Sequence, residues 1–168
     1  ADAVILAAGS KAAAVTGSDG SGYRLARQLG HEVIEPLPAL VQLLSRDKTI
    51  PLLAGLRTEA GVELLIDGRT AGREQGEVQF VKNGLSGIPV FQLSGRAARA
   101  LWQGKRVELV VDFLAGCGWT DKGEALKERR KILEGRTLSG FLNGLVNEKV
   151  QKALAVHTGM KGNVSVQD

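Results

Sequence analysis

The hydrophobic pattern changes period twice along this chain, and that limits its fold more than any single motif. After Pro36-Leu-Pro38, short apolar runs alternate with turn signals as far as Phe113. The runs are Leu40–Leu44, Val62–Ile66, Glu77–Val81 and Arg106–Phe113. The turn signals are Ala60-Gly61, Asp67-Gly68 and Asn83-Gly84. Short runs bounded by Gly, Asn and Asp predict a small antiparallel sheet or barrel. One helix interrupts it, with Ser94 as its cap, Ala97, Ala98 and Leu101 on its apolar face, and Gly104 as its stop. From Thr120 the period becomes helical. Asp121-Lys-Gly-Glu124 has capping-box spacing ahead of a helix to about Glu134, which Gly135 ends. Thr137 caps a second helix whose apolar side runs from Leu138 to Leu154 through Phe141, Leu145 and Val150. The tail, Met160 to Asp168, carries no clear period. The fold class is therefore α+β: a small antiparallel β-barrel followed by a helical subdomain.

The first 30 residues have a different texture. Ala3–Ala8 is a continuous apolar run without alternation, which predicts a strand buried on both faces, as in a parallel sheet. Gly9 ends it, and a loop of small residues follows. Asp19 is the expected N-cap of a helix over Gly20 to Leu29, with Gly30 as its stop. Strand, glycine loop and helix make half of an α/β unit, and the rest of that sheet does not follow.

Composition supports this division and excludes several classes. Gly accounts for 22 of 168 residues, nearly twice the ~7% average. Rings are scarce: four Phe, two Trp and one Tyr. Many glycines with few rings predict turns, or backbone that approaches a ligand closely. The net charge of +4 is mild, and nucleic-acid binding needs clustered cations rather than a small surplus. The single Cys117 excludes an internal disulfide and indicates a reducing, cytoplasmic setting. No apolar run approaches the ~20 residues of a membrane span. The N-terminus lacks the basic start of a signal peptide. The chain has no initiator Met and opens directly on an apolar run, so we expect it to be part of a longer polypeptide.

Standard catalytic sites fail on spacing. Gly17-Ser-Asp-Gly20-Ser-Gly22 is like a phosphate loop, but Leu25 stands where G-x-G-x-x-G needs its third Gly, and no Walker A motif exists. His31 and His157 lack ligand-spaced partners, so no metal site is expected. Ser45-Arg-Asp-Lys48 has S-x-x-K spacing without the S-D-N that should come after it. Cys117, between two glycines, has no fixed base nearby and reads as a small loop residue. Lys127-Glu-Arg-Arg-Lys131 is diluted by Glu124, Glu128 and Glu134 and has no aromatic residue for base stacking, so it reads as a solvated helix face. No acid or base catalyst can be named.

Two glycine constellations remain. The first joins Ala7-Ala-Gly-Ser-Lys11 to Thr16-Gly-Ser-Asp-Gly-Ser-Gly-Tyr23. Its backbone amides and helix N-terminus suit a flat or anionic cofactor, and equally suit a tight strand-to-helix connection. The second is Gly84-Leu-Ser-Gly87, a polar, bendable loop between apolar segments, read either as a pocket lining or as a turn ahead of a helix.

These residues resemble a known family. Val4-Ile-Leu-Ala-Ala-Gly-Ser-Lys11, Thr16-Gly-Ser-Asp-Gly-Ser-Gly-Tyr-Arg-Leu-Ala26 with Leu29-Gly-His31, and Gly76-Glu…Gly84-Leu-Ser-Gly87…Leu93-Ser94 are similar to motifs of bacterial aminoacetone-oxidase-type flavoproteins. Pro38-Ala-Leu-Val41 and Val110-Val-Asp-Phe-Leu114 also fit. Members are FAD-dependent, NAD(P)-linked oxidoreductases whose FAD domain is interrupted by a β-barrel and a helical bundle. The resemblance implies that residues 1–32 are an edge of the FAD domain, 33–116 the barrel and 117–168 the helical part. It implies that Gly9, Ser10, Lys11, Gly17, Asp19 and Gly20 lie near FAD, and that Gly84, Ser86 and Gly87 line the substrate pocket.

The family's N-terminal dinucleotide motif and C-terminal glycine-rich segment are missing from these residues. Ser10 replaces a Gly and Ile88 replaces a Pro. The chain alone is therefore expected neither to bind FAD tightly nor to turn over. Expected partners are a small-molecule substrate and NAD(P)H in the parent, with no nucleic acid and no membrane, and self-association through Ala3–Ala8. The rival reading is an independent barrel-plus-helix module that binds RNA or a protein.

Overall fold

Asp67 and Gly68 reverse the chain between its two longest strands. Both have positive φ, 50° and 77°, the backbone that a two-residue hairpin turn requires and that Asp-Gly adopts most readily. They join β2 (Arg57–Ile66) to β3 (Arg69–Val81) with Ile66 facing Arg69. The structure, a computed structural model, describes residues 2–165. It divides into two compact units, Ala1–Pro38 and Ala39–Asp168.

The second unit is built on a curled, five-stranded antiparallel sheet that makes a half-barrel. Besides β2 and β3 it contains β1 (Leu43–Leu44), β4 (Gly84–Ser86) and β5 (Val107–Asp112), in the order β1-β4-β3-β2-β5. A bulge interrupts the long hairpin. Leu64 faces Gly72 and Leu65 faces Thr70, leaving Ala71 without an opposite residue. The Arg96 guanidinium donates to the Ala71 carbonyl at 2.8 Å, so the extra residue's acceptor is satisfied.

Helix α2 (Ile50–Leu53) and helix α3 (Ile88–Trp102) pack on the inner face of the sheet. Their core partners on the sheet include Ala60, Leu64 and Val78, and α3 contributes Val90 and Ala97, all with zero exposure. Phe80 stacks on Phe113 at 5.8 Å between centroids. The helical residues follow as α4 (Lys122–Ile132), α5 (Leu138–Leu142) and α6 (Glu148–Thr158). Val150 and Ala153 of α6 join the same core.

Several sequence expectations hold. Asp121 caps α4 by accepting the Glu124 N–H at 2.9 Å, and Thr137 caps α5 by accepting the Gly140 N–H at 3.2 Å. Others need correction. Ala60-Gly61 is not a turn but lies inside β2, paired with Gly76 and Gln75. Its small side chains let neighbours approach, and Ala60 is wholly buried. Ser94 does not cap α3. The helix starts six residues earlier, with Pro89 in its first turn, where the missing N–H costs nothing. Ser94 is buried within it, donating to the Phe91 carbonyl at 2.7 Å and accepting the Val41 N–H at 3.2 Å. The long second helix from Thr137 is two helices. Asn143-Gly144 breaks it, and Asn147 recaps the chain by accepting the Lys149 N–H at 2.9 Å. The tail is tied back onto α5, with Leu138 N–H donating to Val164 O and Ser139 N–H to Gly162 O. Residues 166–168 of that tail lie outside the described residues.

In the first unit the expected buried strand is absent. Residues 3–8 form no strand, and Val4 and Ile5 are 85% and 92% exposed. A single apolar segment has no backbone partner for its N–H and C=O groups, so its pattern alone cannot make a strand. A 3₁₀ turn, Lys11–Thr16, follows, and Ser10 starts it by accepting the Ala12 N–H. Helix α1 (Ser21–Gln28) begins one residue later than expected, with Gly20 as its N-cap. Asp19, one residue before, still reaches the Ser21 N–H at 2.8 Å.

Lys122 of α4 forms an ion pair with Asp112 at the end of β5. Partial burial pushes the Asp112 carboxyl up. The Lys122 ammonium and the Leu114 N–H outweigh that and hold it below the ordinary carboxylate range. A carboxylate with a depressed folded-state pKa adds stability above its unfolded value of ~3.9 and loses it as pH falls through the folded value. Both groups are partly exposed, so the increment is under ~1 kcal/mol. We therefore expect Asp112→Asn to be less stable than wild type at pH 7 and to match it near pH 2, measured by urea denaturation at both.

Candidate functional site

In the first unit, Lys11, Asp19, Ser21, Tyr23, Arg24 and Arg27 surround a groove of about 320 Å³. The loop before α1 brings Lys11 across Gly20. A Cβ on Gly20 would lie 2.5 Å from the Lys11 Cε, and one on Gly9 would lie 2.7 Å from the Ser18 Oγ. These two glycines thus serve the loop's own packing. At Gly17 the same position is open space. Ser18 fastens the loop by donating to the Ala8 carbonyl at 3.0 Å. The Asp19 carboxyl is lowered by the backbone and side-chain hydrogen bonds of Ser21, with help from Arg24. It is thus an anion placed at the start of α1, where the helix dipole favours one. Arg27 pairs with Glu35 at 3.4 Å. Three cations face two carboxylates around the groove, so its balance is positive and suits an anionic group. Gly9, Ser10, Lys11, Gly17, Asp19 and Gly20 therefore share one loop system, with Lys11, Asp19 and Gly20 on the groove itself.

Gly84, Ser86 and Gly87 sit in the second unit, on β4 and the entry to α3. Gly84 is buried and paired with Leu44. A Cβ there would lie 2.2 Å from the Leu43 carbonyl oxygen. Between Gly84 and Ser86, Leu85 lines a cavity of about 490 Å³ on the open side of the half-barrel. Its apolar wall also holds Leu43, Phe80, Leu109 and Val111, and Asp47 and His157 stand at its edge. Asp47 accepts from the Thr49 N–H and hydroxyl at 2.8 and 2.7 Å. Those bonds, and more weakly His157, lower its pKa. Sequence reasoning missed this cavity. Its one local signal was Asp47-Lys-Thr-Ile-Pro51, an Asx turn ahead of a proline-started helix.

The basic stretch on α4 is used within the fold. Arg129 donates to the carbonyls of Phe141 and Asn143 at 2.8 and 2.6 Å. Lys127 and Lys131 pair with Glu124 and Glu128. Among the described residues, no helix is long and apolar enough to cross a membrane.

Residues 37–168 match the family described as "HI0933-like protein barrel and H2TH domain". The chain belongs to that family. The half-barrel followed by helices is the architecture its description names. The chain is also 40% identical, over 150 residues, to the 3-dehydro-bile acid delta(4,6)-reductase of Clostridium scindens. That alignment covers 89% of this chain and 37% of the relative, so the chain spans a little over a third of the relative's length. These likenesses support the coarser part of the sequence resemblance, an insert domain related to flavoprotein oxidoreductases. They do not single out the aminoacetone-oxidase type.

Proposed function

We propose that this chain is the barrel-and-helix insert of a cytoplasmic, bacterial FAD-dependent oxidoreductase, together with an edge of its cofactor-binding domain. The family match over residues 37–168 carries the reading, and the glycine-loop motifs before residue 32 support it. In the parent protein, residues 1–32 belong to the FAD domain, 33–116 to the barrel and 117–168 to the helical part. Bound FAD supplies the hydride chemistry, and the protein positions and shields it. Lys11 and Arg24 attract the anionic part of the cofactor. The Gly84–Gly87 segment belongs to the substrate side. The motifs favour the aminoacetone-oxidase type, while the relative's name adds reduction of a 3-dehydro-bile acid. Both are redox reactions of small organic molecules: in an oxidation the substrate itself supplies electrons to the flavin, and in a reduction NAD(P)H is the expected reductant. The chain alone binds FAD weakly and is inactive.

Two measurements test this reading. In the full-length protein, Lys11→Gln should weaken FAD retention about tenfold, the loss of one charge-assisted contact of ~1.4 kcal/mol. Lys127→Gln, on the helical part, should leave it unchanged. Equal effects of the two would remove Lys11 from the cofactor site. The exposed Ala3–Ala8 segment is the second case, because an apolar segment without sheet partners is adhesive. The isolated chain should self-associate at micromolar concentration in sedimentation velocity, and Ile5→Lys should return it to monomer. A native chain that stays monomeric contradicts this.

A further inference from the structure

We infer that the open side of the half-barrel, between β1 and β5, is closed in the parent protein by an extended segment of the same polypeptide that adds as a strand along β5. This rests on the reading that the chain is part of a longer flavoprotein.

The sheet order leaves β1 and β5 as its two edges, with no ladder between them among the described residues. The inner face of β5 is under-covered. Leu64 and Val62 of β2 stand directly opposite Leu109 and Val111 of β5 on the same face. The β2 pair is buried, with 0% and 2% exposure, whereas Leu109 and Val111 are only partly buried. Their free sides open on the 490 Å³ cavity, whose far wall is Leu43 of β1.

The edge is protected only on its outer face, where Glu108 pairs with Arg106 and Asp112 with Lys122. Exposed edge strands are blunted by Lys, Pro or inward charges. Val107-Glu-Leu-Val-Val-Asp112 has none of these on its inner face, and Val110 on its outer face is 47% exposed. Leu44, on the opposite edge, is 68% exposed. The family description names a barrel, and the relative has more than half its length beyond this match. The segment's chemistry follows from β5. It needs about six extended residues with apolar side chains at alternate positions, so that three point into the cavity.

Hydrogen exchange tests this, comparing the chain alone with the full-length protein and reading flavin content on the same sample. The Val107–Asp112 amides directed away from β2 should exchange quickly in the chain alone. In the full-length protein they should slow by on the order of a hundredfold or more. If the protein binds flavin but these amides exchange equally fast in both, the closure is overturned and the functional reading stands. If they slow in the chain alone as its concentration rises, a second copy covers the edge and the proposal fails. If the full-length protein lacks flavin, the functional reading fails whatever the exchange shows.

Discussion

Gly87→Ala should destabilise the sheet unit by about 4 kcal/mol, the sum of backbone strain and overpacking. Gly87 has φ 105° and ψ 164° at the entry to α3, a conformation that residues with a Cβ rarely adopt. An added Cβ would lie 2.3 Å from the Glu77 carbonyl oxygen and 3.2 Å from the Val78 Cα. Both obstacles are backbone atoms of a central strand and cannot turn aside. Moving them would disturb the short ladder in which Gln79 faces Ser86 and Phe80 faces Leu85. Gly104→Ala is the matched control. Gly104 has φ 75°, but nothing lies within 4 Å of its would-be Cβ, so only the left-handed penalty of about 1–2 kcal/mol applies. Urea denaturation of both variants measures the difference. A Gly87→Ala midpoint no lower than that of Gly104→Ala would show that the close approach of β3 is wrong.

Phe80→Ala should cost about 3–5 kcal/mol, the range for truncating a buried aromatic residue. Phe80 is 2% exposed and joins three parts of the unit. Its ring stacks on Phe113, beyond β5. Its N–H donates to Leu56 O, and its carbonyl accepts the Gly55 N–H, both at 2.9 Å. Its side chain also lines the cavity beneath the open edge. Truncation removes the ring and enlarges a space already only half covered. Val110→Ala, on the outer face of the same sheet, removes apolar surface that is 47% exposed. It should change stability by about 0.5 kcal/mol or less. Equal losses for the two would mean that the core does not lie on the inner face of the half-barrel.

The parts of the fold set by neighbours in sequence could be read from the sequence. Asp67-Gly68 announced its hairpin because positive φ at two consecutive residues is a local demand. Asp121 and Thr137 announced their helices because a cap reaches only three residues ahead. Features set by distant partners were hidden. Ala60-Gly61 looked like a turn because small residues serve turns and close strand packing alike. Ser94 looked like a cap, whereas its hydroxyl satisfies Val41 across the unit. Ala3–Ala8 had a strand's pattern and none of a strand's partners. Of the residues that the motif resemblance named, Lys11, Asp19 and Gly20 lie within ten positions of one another and share one groove. The cavity edge was not legible in the sequence. Asp47 and His157 are 110 positions apart in the chain, and only folding brings both to one opening.

The flavin content of two purified proteins decides whether this chain borders a cofactor. The full-length polypeptide that contains this sequence should retain about one FAD per chain, released on denaturation and seen by its visible absorbance. The 168-residue chain, purified in the same way, should be colourless yet folded. A full-length protein without flavin, or an isolated chain that binds FAD stoichiometrically, would contradict the assignment of this chain as an insert that borders a cofactor held mainly by the rest of the protein.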